Sequence, residues 1–183
     1  MESTPNTQIH VLLVEDDPSF AQALKQALAW TEHANYMVVH AGTLARATET
    51  LASMEFDVIL LDLTLPDSEG MDTVKAVHEA SPKTSVVVLT SLDDEALGRE
   101  AIRCGAQDFL IKGQADDRLI ARAMRYAIER RQALDERDRL IGQLRAALNK
   151  VKKLGGLLPI CMHCKKIRDD QGYWNQVEVY VRQ

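Results

Sequence analysis

Five short apolar runs, with helical spacing of apolar residues between them, constrain this chain more than any other feature. Ile9–Val14, Tyr36–His40, Val58–Leu61, Ser85–Leu89 and Asp108–Ile111 read as strands. Phe20–Trp30, Leu44–Met54, Gly70–Glu79 and Glu95–Arg103 carry apolar residues at helical spacing between them. Strands that alternate with helices imply right-handed crossovers and a parallel sheet covered on both faces. The run Val86–Leu89 has no polar alternation, as a strand buried on both sides requires. The expected architecture is α/β: a doubly wound, five-stranded parallel sheet. In such folds ligands sit in the crevice outside the carboxyl ends of the strands.

Helix punctuation agrees. Asp17-Pro18 supplies a cap and a proline for the first turn. Gly105 stops one helix, and Ser81-Pro82 ends another. In the last helix Leu119, Ile120, Ala123, Met124 and Ala127 form a face that would pack on the sheet. Beyond Arg131 the helix outruns the domain. Leu134, Ile141 and Leu148 recur every seven residues, with Leu144 and Val151 at the offset positions and Arg137 interrupting the seam. Gly155-Gly156 ends this extension. The expected division is a flexible tail at 1–8, the α/β domain at 9–130, a helical coiled-coil extension at 131–156, and a short cysteine-containing segment at 157–183 that is too small to fold alone.

The charge is unevenly spread. Residues 1–115 hold 7 Lys/Arg against 18 Asp/Glu, and residues 116–153 hold 11 against 6. The acidic body matches DNA phosphates poorly and suits a metal cation or a basic partner. The basic helix reads as a solvated face, so no direct DNA contact is expected. No apolar run is long enough to span a membrane. The opening MESTPNTQ lacks the basic-then-apolar order of a signal peptide. Three cysteines, Cys104, Cys161 and Cys164, make no disulfide framework and point to a reducing cytoplasm.

The strand ends collect the chemistry. The first strand ends in Glu15, Asp16 and Asp17, the third in Asp62, the fourth in Thr90-Ser91 and the fifth in Lys112. Parallel strands point all these ends the same way. A carboxylate at the end of a buried strand costs several kcal/mol, about 2–7, unless something compensates it. Oxygen-only ligands with room for water favour Mg²⁺. Asp16, Asp62 and the backbone carbonyl of Thr64 would ligate it, with Glu15 acting through water. Asp62, kept ionised by the cations around it, is then placed to attack a phosphoryl group. Lys112 would neutralise the transferring oxygens, and the Thr90 hydroxyl would hydrogen-bond the new group. Asp17 reads as a helix cap instead.

The stretches VLLVEDD, LLDLTLPDSEG, VVLTS and GAQDFLIKG resemble the response-regulator receiver domains of two-component signalling, in type, order and spacing over about residues 8–130. The resemblance implies a flavodoxin-like fold. It implies a phosphoprotein that accepts a phosphoryl group on Asp62 from a sensor histidine kinase or a phosphotransfer protein, rather than a turnover enzyme. It implies Glu15 and Asp16 as the acidic pair, Thr90 and Phe109 as switch residues, and Lys112 as the phosphate-sensing lysine. Thr64 and Leu92 fall where the family tunes dephosphorylation. Gly113 stands where a proline in a cis peptide is common, and Ser91 where a smaller residue is common. Phosphorylation would shift a two-state equilibrium on the face of the fourth helix, fifth strand and fifth helix, and pass through the C-terminal helix of a homodimer.

Cys161-Met162-His163-Cys164 offers two thiolates at zinc-knuckle spacing, where a structural Zn²⁺ needs four ligands. Lys165 follows the second cysteine, which excludes the haem attachment pattern. The segment from Leu157 resembles the opening of a small module in which a second C-x-x-C follows downstream, so Cys161 and Cys164 read as a partial zinc site. Two rivals remain open at this point. A haloacid-dehalogenase-type phosphohydrolase would want an aspartate where Thr64 stands. A cysteine or zinc interaction module on a receiver scaffold would make the acidic pocket silent.

Overall fold

A computed structural model describes residues 8–30, 35–91, 95–155, 160–168 and 173–176. The chain divides into two compact units, 1–134 and 135–183. In the first, β1 (Gln8–Val14), β2 (Asn35–Ala41), β3 (Val58–Asp62), β6 (Ser85–Thr90) and β7 (Asp108–Ile111) form one sheet in the order β2-β1-β3-β6-β7. Every neighbouring pair is parallel. Between β3 and β6 lie a short antiparallel pair, β4 (Thr64–Leu65) with β5 (Ser68–Glu69). The helices are α1 (Pro18–Ala29), α2 (Leu44–Ser53), α3 (Met71–Ala80), α4 (Glu95–Arg103) and α5 (Asp117–Gly155). The predicted doubly wound α/β fold is the fold observed.

Strand alternation builds two cores from one sheet. Val11, Leu13, Leu60, Val87 and Leu89 point to one face, where they meet Ala21, Leu24 and Leu28 of α1 and Ile120, Ala123, Met124 and Ala127 of α5. Leu12, Val14, Ile59, Leu61, Val86 and Val88 point to the other, against Ala47 of α2, Val74 and Val77 of α3 and Ala101 of α4. This two-faced burial is why Val58–Leu61 of β3 and Val86–Leu89 of β6 are apolar throughout. Each leucine so buried contributes roughly 1.5–3 kcal/mol. Cys104 packs against the second cluster, as a small apolar side chain does.

Leu119 departs from expectation. It is exposed, while Ile120, Ala123, Met124 and Ala127 are buried at spacings of three and four. A helix turns about 100° per residue, so the position before Ile120 falls beside the buried stripe rather than on it. Past Leu134 the described side chains of α5 all face solvent, including Leu140, Ile141, Leu144 and Leu148.

Loops are tied by capping. Asp17 caps α1, accepting from the Ser19 N–H at 2.8 Å, with Pro18 in the first turn. At the start of α2, Thr43 accepts from Arg46 N–H, while Asp67 reaches across from the β4–β5 turn to accept from Leu44 and Ala45 N–H at 2.8 and 2.9 Å. Those backbone donors hold the Asp67 carboxyl below the usual aspartate range. Leu92 and residues 1–7 lie outside the described residues. No cis peptide occurs among the described residues, and Gly113 instead adopts a positive φ of 80°.

Gly98 in α4 has a steric reason to be glycine. A Cβ there would overlap the ring of Phe109. Gly98→Ala should gain about 1 kcal/mol of helix propensity but lose about 1–3 to overpacking, for a net destabilisation of about 1 kcal/mol. In a Phe109→Leu background the same change should be neutral or stabilising. Urea unfolding of the four proteins checks this; a stabilising Gly98→Ala in the unaltered background contradicts the packing.

Candidate functional site

The order of the sheet places the site. The chain passes from β1 to β2 on one side, then crosses to β3 on the other, so a crevice opens beyond the carboxyl ends of β1 and β3. Glu15 and Asp16 follow β1, and Asp62 closes β3. One carboxylate oxygen from each of Glu15, Asp16 and Asp62 lies within 4.8 Å of the others. Glu15 is fully buried, Asp62 is 5% exposed and Asp16 faces solvent.

Lys112, just past β7, joins this cluster. Its Nζ lies 2.7 Å from Asp62 Oδ2, and 3.0 and 2.7 Å from the two carboxylate oxygens of Glu15. Its backbone N–H donates to the carbonyl of Thr90 at 2.7 Å, so the ends of β6 and β7 are held together under the same pocket. The other oxygen of Asp62 accepts from the Thr64 N–H at 3.1 Å. Both oxygens of Asp62 are thus oriented before any ligand arrives.

The electrostatics follow from burial. Desolvation pushes the Glu15 carboxyl above its ordinary value, against the lowering effect of Lys112. Burial also disfavours the charged form of Lys112, but its hydrogen bonds to Asp62 and Glu15 outweigh this and raise its pKa, so the ammonium is retained at neutral pH. One ammonium faces three carboxylates. The remaining negative charge and the hard oxygen donors fit a divalent cation of the Mg²⁺ type.

Thr90 is buried at the end of β6, in register with Ile111. Phe109, two residues upstream of Ile111, is half-buried against α4 on the opposite face of the sheet from α1 and α5. Two residues near the site escaped the sequence reading. Phe20 of α1 presents its ring to Lys112, with Nζ 5.0 Å from the centroid. His40, at the end of β2, donates from Nε2 to the Glu15 carbonyl at 2.7 Å, while Glu15 N–H donates to the Ala41 carbonyl at 3.0 Å. His40 sits at a strand end on the pocket's rim, which was the available signal. Phe20 gave none, being one apolar residue in an amphipathic helix.

In the second unit, Ile160 bridges Ile167, and β8 (Ile167–Arg168) pairs with β9 (Trp174–Asn175). Cys161 and Cys164 sit in the turn this bridge closes. They belong to a different unit from the acidic pocket.

Comparison with known proteins agrees with this geometry. The model of the response regulator receiver domain matches residues 11–124. The regulatory protein LuxO of Vibrio cholerae is 42% identical over 100 residues, covering 53% of this chain and 22% of that protein. The swarming motility regulation protein RssB of Serratia marcescens is 37% identical over 125 residues, covering 68% of this chain and 55% of that protein. The chain therefore spans no more than about half the length of these curated relatives. The crystal structure of the signal receiver domain of an HD domain-containing protein from Pseudomonas fluorescens superposes with a TM-score of 0.63 at 28% identity, over 75% of this chain and 98% of that one. With the family model matched across both the acidic pocket and Lys112, the chain belongs to the receiver domains of response regulators.

Proposed function

We propose that Asp62 is the phosphoacceptor of this receiver domain, and that a sensor histidine kinase or phosphotransfer protein is the donor. The observation that carries this reading is the placement of Asp62: a strand-end carboxylate bonded to Lys112 Nζ at 2.7 Å and to the Thr64 N–H at 3.1 Å, in a crevice of a receiver fold. A carboxylate oxygen of Asp62 attacks phosphorus. The O–P bond forms, the N–P bond to the donor histidine breaks, and the leaving imidazole nitrogen takes up a proton from solvent. Lys112 moves from its carboxylate partners to the phosphoryl oxygens and offsets their charge. Thr90 donates its hydroxyl to the bound phosphoryl group, and Phe109 repacks against α4 at Gly98.

Receiver domains take Mg²⁺ at an acidic pocket. Here Glu15, Asp16, Asp62 and the Thr64 carbonyl would hold it, and the ion supplies neutralisation of the phosphoryl oxygens. The domain acts as a phosphoacceptor, with the only chemistry being its own phosphorylation and dephosphorylation. Among the described residues no helix is long and apolar enough to cross a membrane; a cytoplasmic site of action fits the free thiols. We place the receiver at 9–130, the relay helix at 131–156 and the cysteine segment at 157–183.

The relay reading rests on α5. Leu134, Ile141, Leu144 and Leu148 are 39–61% exposed on a helix whose other positions over 135–149 are polar or small, apart from Leu140. A parallel homodimer would cover that seam, with the side chain of Arg137 drawn aside by its ion pair to Asp138 at 2.9 Å. The relay then needs no direct DNA contact by this chain.

Incubation with acetyl phosphate and Mg²⁺, followed by intact mass, should show a gain of one phosphoryl group in the wild type and none in Asp62→Asn. A gain that survives Asp62→Asn overturns the assignment, and sustained turnover of phosphate esters would favour a phosphohydrolase. Sedimentation should show a dimer that shifts with a phosphoryl mimic and that Ile141→Asp with Leu148→Asp disperses; a monomer in both states disposes of the dimer.

A further inference from the structure

A histidine completes the strand ladder where the backbone leaves it. β1 and β2 run in register to the pair Val14–Ala41, and the Glu15 N–H extends the ladder by one bond, donating to the Ala41 carbonyl at 3.0 Å. The next bond of a parallel ladder would bring the N–H of residue 43 to the Glu15 carbonyl. By then the chain has turned away, with Thr43 capping α2. The half-buried His40 ring takes that place, its Nε2 lying 2.7 Å from the Glu15 carbonyl oxygen. A carbonyl can only accept, so Nε2 carries the proton and donates it.

The bond falls beside a residue of the acidic cluster. The Glu15 carbonyl belongs to the peptide that leads into Asp16. The peptide that leaves Asp16 is held as well, since the Asp17 N–H donates to Glu15 Oε1 at 3.2 Å. With both planar peptides fixed, Asp16 keeps little backbone freedom. Asp16 is the exposed member of the cluster, and its carboxylate meets those of Glu15 and Asp62 within 4.8 Å. The other two are already engaged by Lys112, and Asp62 also by the Thr64 N–H. The direction of the Asp16 carboxylate is set by the backbone that carries it.

We propose that His40 is a positioning residue for the divalent cation, acting through the Glu15–Asp16 peptide to hold the Asp16 carboxylate toward Asp62 and Glu15. A ligand ordered before its ion arrives loses less freedom on binding, so the hydrogen bond from His40 adds to cation affinity without touching the ion. Partners that orient metal ligands from behind act in the same way. What the position requires is a hydrogen-bond donor at the reach of Nε2, rather than a charge or an aromatic ring. The proposal deepens the phosphoacceptor reading and rests on it, because it takes the acidic cluster as the cation site of that chemistry.

Titration of the isotope-labelled full chain with Mg²⁺, followed by backbone amide shifts, reads binding without any phosphoryl transfer. His40→Phe keeps a ring and loses the donor, and should raise the Mg²⁺ dissociation constant about tenfold. The amide nitrogen of His40→Gln lies as many bonds from Cα as Nε2 does, and should restore the constant to near its wild-type value. In His40→Asn the nitrogen is one bond short, and the weakening should remain. The Gln and Asn pair carries the same comparison if the Phe variant does not fold. The rise in unfolding midpoint on adding Mg²⁺ should shrink in His40→Phe along with its affinity. A purely structural His40 would lower stability equally with and without Mg²⁺ and leave the dissociation constant unchanged, and that result overturns the proposal, as does equal weakening in the Gln and Asn variants. Wild type that binds Mg²⁺ while all three variants match it overturns the proposal alone; wild type with no Mg²⁺-dependent shifts around Asp16 and Asp62 overturns the cation-site reading with it.

Discussion

One lysine holds the pocket together. Lys112 places its ammonium between Asp62 and Glu15, carboxylates 50 and 97 residues away along the chain. Glu15 has no exposure to water, and burial raises its pKa. Without a cation, two buried carboxylates side by side would repel or take up a proton. The ammonium removes that conflict and fixes the sheet edge as it does so, because its own backbone is bonded to Thr90. On the proposed reading, a phosphoryl group that competed for Lys112 would act on the bonds that join residues at the ends of β1, β3 and β7.

The supporting contacts serve the same end. His40 fixes the Glu15 peptide from the β2 side, and the Phe20 ring covers the ammonium from α1. Asp67 ties the loop after Asp62 to the start of α2. Gly98 leaves room for Phe109 beneath α4. Phe20 thus connects the pocket to α1, Asp67 connects it to α2 and His40 to β2, so the site is not insulated from the outer layer of the fold.

The fold was legible because its strands are buried on two faces. Val58–Leu61 and Val86–Leu89 have no polar alternation, and that excludes a solvated sheet edge. Once the sheet is parallel, its carboxyl ends must converge, and Glu15, Asp16, Asp62, Thr90 and Lys112 come with them. Smaller features were not legible. The pairs Thr64–Leu65 with Ser68–Glu69 and Ile167–Arg168 with Trp174–Asn175 are two residues long, too short for any period to register. Leu119 was misplaced because one residue of phase moves a side chain from the core stripe to solvent. His40 and Phe20 are common residue types whose roles arise only from what the fold places beside them. The cysteine turn was visible as a spacing, but the Ile160–Ile167 bridge that closes it was not.

The central claim is that Lys112 and Asp62 are energetically one unit within a shared pocket. A double-mutant cycle for unfolding, with Lys112→Met and Asp62→Asn singly and together, measures this most directly. The account predicts that Lys112→Met is markedly less costly once Asp62 is neutral, with a coupling of about 1–3 kcal/mol. Additive effects would contradict it, because the two side chains would then be acting independently.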